Sequence, residues 1–150
     1  MIDPATAFSV AGVVAIAGWL GLILGTFVKS VRPYAGLAAT FVIPSLLGVA
    51  YILLIQDGMR ASDSGGFGSI AEVRTLFAND AALAAGWLHY LAFDLFVGAW
   101  IAREGSRSGV PGVLLIPCFA LTFLFGPAGL LLFLVLRLAI RSSRRGMKVE

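Results

Sequence analysis

The chain has 150 residues, of which 59% are hydrophobic and 13% charged, with a formal net charge of +3 and a mean hydropathy of +0.96. Soluble domains carry about 45–50% apolar and about 25% charged residues, so this composition excludes a water-soluble globule and points to an all-α integral membrane protein. The single cysteine, Cys118, excludes an intramolecular disulfide framework and a cysteine-based metal cluster.

The opening "MIDPATAFSV" has no basic n-region and no small-residue cleavage site. It reads as the start of a retained first helix, with no transit peptide before it. Four stretches reach the roughly 20 apolar residues needed to cross a bilayer as helix: about Ala5–Val28, Tyr34–Ile55, Ala81–Ala102 and Val113–Leu136. Short links, "KSVRP" and "REGSRSGVPG", join the first to the second and the third to the fourth. Four transmembrane helices in two antiparallel hairpins, forming one membrane domain, are therefore expected.

The link between the hairpins, from Gln56 to Asp80, starts turn-like with "DGMRASDSGGFG". Ser69 and Glu72 then form a capping box, and a short interfacial helix is expected over 69–77. A lid over an intramembrane site is the alternative role for this helix. Residues 137–150 form a basic C-terminal tail, with Arg137, Arg141, Arg144, Arg145 and Lys148, suited to anionic headgroups. No folded basic face for nucleic acid is visible. With four spans, seven Lys and Arg fall on the side of the termini and four on the other, which favours termini inside, while the four acids of the 56–80 loop and the two tight basic loops argue for the opposite orientation.

A duplication is suggested by Ala17-Gly18-Trp19-Leu20 recurring as Ala85-Gly86-Trp87-Leu88, and by Ile43-Pro44-Ser45 echoed in Ile116-Pro117-Cys118. Chance is the competing explanation, because Ala, Gly and Leu abound. Gly21 and Gly25 form a GxxxG pattern for close helix approach.

Inside the third stretch lie the only histidine, His89, and Asp94. A charge at the bilayer centre costs about 2.5–3.5 kcal/mol on insertion scales, so both groups should face protein and have partners. Five residues turn a helix by about 140°, so they do not share a face. A protonated Asp94 would serve as general acid and a neutral His89 as general base; tying the bundle together is the structural alternative. Trp87, Tyr90, Cys118, Thr122, Gly126 and Pro127 are candidate substrate-lining residues. Gly126-Pro127 should kink or unwind the fourth stretch. Asn79 and Asp80 suit an N-cap, and Arg103 suits a headgroup or an anion. No phosphate loop, HExxH, nucleophile elbow or dinucleotide fingerprint occurs, so no cofactor or metal is expected. A haem would need a second ligand besides His89.

The runs "NDAALAAGWLHYLAFDLFVGAWI" and "IPCFALTFLFGPAGLLLFL" resemble the abscisic-acid-deficiency-four-like family, which holds plant neoxanthin synthase and bacterial relatives. The likeness covers nearly the whole chain in layout, and is specific in "HYLAFDLFVG" and "FGPxGLLL". It touches Asn79, Asp80, His89, Tyr90, Asp94, Gly126 and Pro127. The resemblance implies a membrane protein acting on a carotenoid or other isoprenoid, without redox cofactor. In the plant relative, in plastid membranes, an epoxide opens to an allenic alcohol. For this chain a bacterial inner membrane is expected, with a second copy of the chain as a candidate partner. The alternatives are a non-catalytic carotenoid- or lipid-binding subunit that assists an enzyme, and a small proton-coupled carrier.

Overall fold

The computed structural model describes residues 2–146, and among these every regular element is helical. The elements are α1 (Pro4–Phe27), α2 (Arg32–Leu37), α3 (Ile43–Arg60), α4 (Ile70–Phe77), α5 (Asp80–Ser108), α6 (Gly112–Phe125) and α7 (Pro127–Gly146). A π-helical turn, Ala38–Val42, joins α2 to α3. Pro44 has no N–H for the carbonyl of Thr40, and the widened turn accommodates that loss. Three helical runs are long and apolar enough to cross a membrane: Pro4–Phe27, Arg32–Arg60 and Asp80–Ser108.

The helix ends follow local chemistry. Asp3 caps α1 by accepting from the Thr6 hydroxyl (2.6 Å) and backbone N–H (2.8 Å). These bonds, the hydroxyl's first, hold its carboxyl below the ordinary carboxylate range. Asn79 caps α5, its Oδ1 accepting from the N–H groups of Ala81 and Ala82. At the other end Gly109 takes φ +68°, and Val110 N–H donates to Gly105 O at 2.9 Å, a Schellman closure. That closure carries α5 through Ser108, past the expected limit at Ala102.

Ser69 caps α4 by accepting from Glu72 N–H at 3.2 Å. The reciprocal half of the expected box differs: the Glu72 carboxylate accepts from Gly68 N–H, one residue earlier. The expected basic tail is helical as far as Gly146, and Lys148 lies outside the described residues.

The chain divides into two compact units. One comprises Met1–Ile16 and Val42–Phe93, the other Ala17–Phe41 and Asp94–Glu150. In the first, Leu54, Leu76, Leu88 and small residues of α5 are buried. Gly58 lets α3 approach α5, since a Cβ there would stand 2.7 Å from the Cβ of Ala82. In the second, Leu22, Leu95, Ile101, Phe119 and Phe133 are buried. There the expected glycine pair is used locally: a Cβ on Gly25 would meet Arg32 Cα at 3.1 Å, and one on Gly21 would touch Ala35. Arg32 holds the same corner, donating to the α1 carbonyls of Gly25 and Thr26. Such carbonyls have no partner within their own helix.

The second unit departs from expectation at its end. A single span over Val113–Leu136, kinked or unwound at Gly126-Pro127, was expected; the interruption falls at that place, but it separates two distinct helices, α6 and α7. Gly126 has φ +47° and ψ −96°, a conformation closed to residues with a side chain. Pro127 then opens α7 at the position where a missing N–H costs nothing.

The two helices fold back on one another. A Cβ on Gly129 would overlap the backbone N and Oγ1 of Thr122 and the carbonyl of Cys118. Eleven residues of straight helix would separate Gly129 from Cys118 by about 16 Å. The contacts with α5 give the direction. Leu115 lies beside Gly105 and Gly126 beside Asp94, so α6 runs antiparallel to α5. Phe133 meets Trp100 edge-on at 5.5 Å, and Arg137 pairs with Glu104, so α7 returns parallel to it.

Candidate functional site

Asp94 is the fifteenth of the 29 residues of α5, at its midpoint. It is half-buried, and its Oδ2 is fully shielded from solvent. The α6–α7 hairpin brings its tip to this carboxylate: a Cβ on Gly126 would stand 3.1 Å from Oδ1 and 3.4 Å from Oδ2. The bare glycine thus lets the carboxylate lie against the backbone at the start of α7, where helix N–H groups carry partial positive charge.

One turn further along α5, at Gly98, the indole of Trp19 lies where a side chain would be. Trp19 is 5% exposed and packs against Phe119 and Phe123, ring centroids 6.0 and 5.9 Å away. Its Nε1–H is buried with no hydrogen-bond partner among the described residues. Buried donors of this kind are rare and call for an explanation. Asp94 and Trp19 therefore place an oxygen acid and an N–H donor on one apolar face of α5.

His89 belongs to the other unit and has different surroundings. It is exposed, its ring stacked on Phe93 at 4.6 Å and tilted against Tyr51 at 5.8 Å. Trp87, 41% exposed, is stacked between Phe8 (5.3 Å) and Tyr90 (5.4 Å). The first half of α5 thus displays two aromatic files.

The small polar residues of α6 are engaged within the helix. Cys118 Sγ donates to Leu114 O at 3.3 Å and Thr122 Oγ1 to Cys118 O at 2.8 Å; the Thr122 hydroxyl and the Cys118 carbonyl face the crossing at Gly129. Asn79 serves as cap, Asp80 begins α5, and Arg103 lies exposed near its end. Among the described residues no cluster of His, Cys, Asp and Glu could hold a metal ion.

Sequence reasoning did not find Trp19, Gly98 or Gly129. A signal for the first two existed. Gly98 follows Asp94 by four residues, and Trp19 stands in the repeat position of Trp87.

A family model described as ABA DEFICIENT 4-like matches residues 6–133, most of the chain. No curated protein and no solved structure matches it.

Proposed function

Because the chain belongs to the ABA DEFICIENT 4-like family, we propose that it is a multi-pass membrane protein acting on a carotenoid or related isoprenoid by acid–base isomerisation. The observation that carries this reading is the Asp94 carboxylate against Gly126, at mid-helix in an apolar setting. Opening an epoxide to an allene delivers a proton to the ring oxygen as its C–O bond breaks. A proton leaves the neighbouring carbon as the new C=C bond forms. The atoms balance without redox, and positioned acids and bases typically contribute 10²- to 10⁴-fold each. Asp94 is proposed as the acid, Trp19 Nε1–H as a donor to the substrate oxygen, and His89 as the base. The expected lining residues Trp87, Tyr90, Cys118, Thr122 and Pro127 remain part of this proposal.

The proposal extends to how the chain sits in the bilayer. α1, the run α2–α3, and α5 would each cross, while the α6–α7 hairpin would enter to the midplane and return, in place of a fourth span. Broken helices at membrane depth are tolerated where protein covers them. Charge supports this arrangement. With three crossings, Lys29, Arg32, Arg103, Arg107, Arg137, Arg141, Arg144, Arg145 and Lys148 go to one face, leaving Arg60 and Arg74 on the other. Nine against two is a sharper bias than the seven against four of a four-span count, and it puts the nine-residue face inside. A bacterial inner membrane and interfacial α4 fit the same reading.

The test is expression of the full chain in a host that accumulates epoxy-carotenoids, with pigments separated by chromatography. Wild type should convert the pigment, and Asp94→Asn should abolish conversion while still co-purifying with it. An unchanged product profile in Asp94→Asn overturns the acid role. The aromatic files of Phe8, Trp87 and Tyr90 and of Tyr51, His89 and Phe93, in which the two tyrosines are half-buried and the rest exposed, favour a second reading, a pigment-binding subunit without chemistry. Bound pigment with no conversion by wild type would establish that reading instead.

A further inference from the structure

The second unit contains a cavity of about 500 Å³, separate from the Asp94 face. Its first α5 residue, Ala99, lies more than one turn beyond Asp94. Arg32, Arg103 and Arg107 line it, with the hydroxyl of Ser106, and no carboxylate does. Ion pairs do not neutralise this charge: among the described residues the salt bridges are Arg60–Asp57 and Arg137–Glu104. Arg32 is anchored through Gly25 O, Thr26 O and Ser106 Oγ, which fixes one guanidinium at the rim. Deeper in, the lining is apolar, with Leu22, Ala35, Ala99 and Leu115.

We propose that this cavity binds the phosphate head of an anionic membrane lipid. Three guanidiniums without counter-charge call for an anion, and arginine matches phosphate oxygens in fork geometry. The cavity lies where α1 and α5 end, at the depth of headgroups if those helices cross. Basic pockets between helices on the inner face are the places where anionic headgroups bind. An apolar interior beneath the arginines accommodates the first part of an acyl chain, which a free phosphate does not have. This site does not depend on the proposed chemistry at Asp94.

The experiment is native mass spectrometry and thermal melting of the full chain in neutral detergent. The probes are phosphatidylglycerol, phosphatidylcholine with the same acyl chains, and inorganic phosphate. Wild type should retain phosphatidylglycerol at least 10-fold better than phosphatidylcholine, and phosphate should neither compete with it nor raise the melting temperature. Arg103→Gln/Arg107→Gln should lose that preference, because both side chains are exposed and hold no described partner. Ala102→Leu keeps every charge but fills part of the cavity, and should weaken binding by a similar factor. Equal retention of the two lipids, or unchanged binding in the double variant, overturns the proposal. Full competition by inorganic phosphate overturns it in favour of a small-anion site. Undiminished binding in Ala102→Leu overturns it in favour of surface attraction alone.

Discussion

The Asp94 carboxylate occupies the space beside the Gly126 Cα that any other residue at 126 would need for its side chain. The same glycine holds a backbone conformation that only glycine adopts readily. Helix break and acid are therefore one arrangement, and neither can be altered without disturbing the other.

Gly126→Ala introduces both backbone strain and a steric conflict with the carboxylate. It should destabilise the protein by about 1–3 kcal/mol through strain, and further through crowding. Replacing Asp94 by alanine as well should recover the crowding part alone. Thermal melts of the two single variants and the double variant should thus show a loss smaller than the sum. Strict additivity would mean that the two residues do not touch.

Gly129 and Gly48 are a matched pair of helical glycines. A Cβ at 48 has nothing within 4 Å, whereas one at 129 would overlap Thr122 and Cys118. Gly48→Ala should be neutral or stabilising by up to about 1 kcal/mol. Gly129→Ala should destabilise clearly, because the opposing atoms include helix backbone. Equal melting temperatures for the two variants would be incompatible with the fold-back of α7 on α6.

Much of this was legible in the sequence. The long apolar helices, the Ser69 and Asn79 caps and the interruption at Gly126-Pro127 each follow from a strong local rule. The fold-back was not legible, because residues on both sides of the break are equally apolar and hydropathy carries no direction. Trp19 and Trp87 show the same difficulty. One is 5% and the other 41% exposed, yet they sit in identical tetrapeptides. In a membrane both inward and lipid-facing surfaces are apolar, so packing there depends on small residues such as Gly98 rather than on hydrophobicity.

Cysteine labelling distinguishes three crossings from four. Single cysteines at Ser30, Ser64 and Ser142, in a Cys118→Ser background, would be probed with a membrane-impermeant maleimide in intact and everted vesicles. Ser30→Cys and Ser142→Cys should react from one face and Ser64→Cys from the opposite face. A fourth crossing would instead pair Ser142→Cys with Ser64→Cys.

The cap on α1 should respond to acid. Thr6 stabilises the ionised Asp3, whose folded pKa is lowered from 3.8. A lowered carboxyl pKa contributes stability above the unfolded value and loses it as pH falls through the folded one. The protection of the Thr6 amide, taken relative to its intrinsic exchange rate, should thus be present at neutral pH and fall away below 3.8. Asp3→Ala should show the same low protection at every pH.

The hairpin also bears on how the protein is made. A spanning helix can leave a translocation channel sideways as soon as it is synthesised, because lipid satisfies its whole surface. The α6–α7 pair is different: its turn at Gly126 carries an interrupted backbone ladder, and its seat is the Asp94 face of α5. Biogenesis should therefore be ordered. With the hairpin re-entrant as proposed, the earlier helices would settle first, and the C-terminal hairpin would dock afterwards from the side on which its own arginines remain.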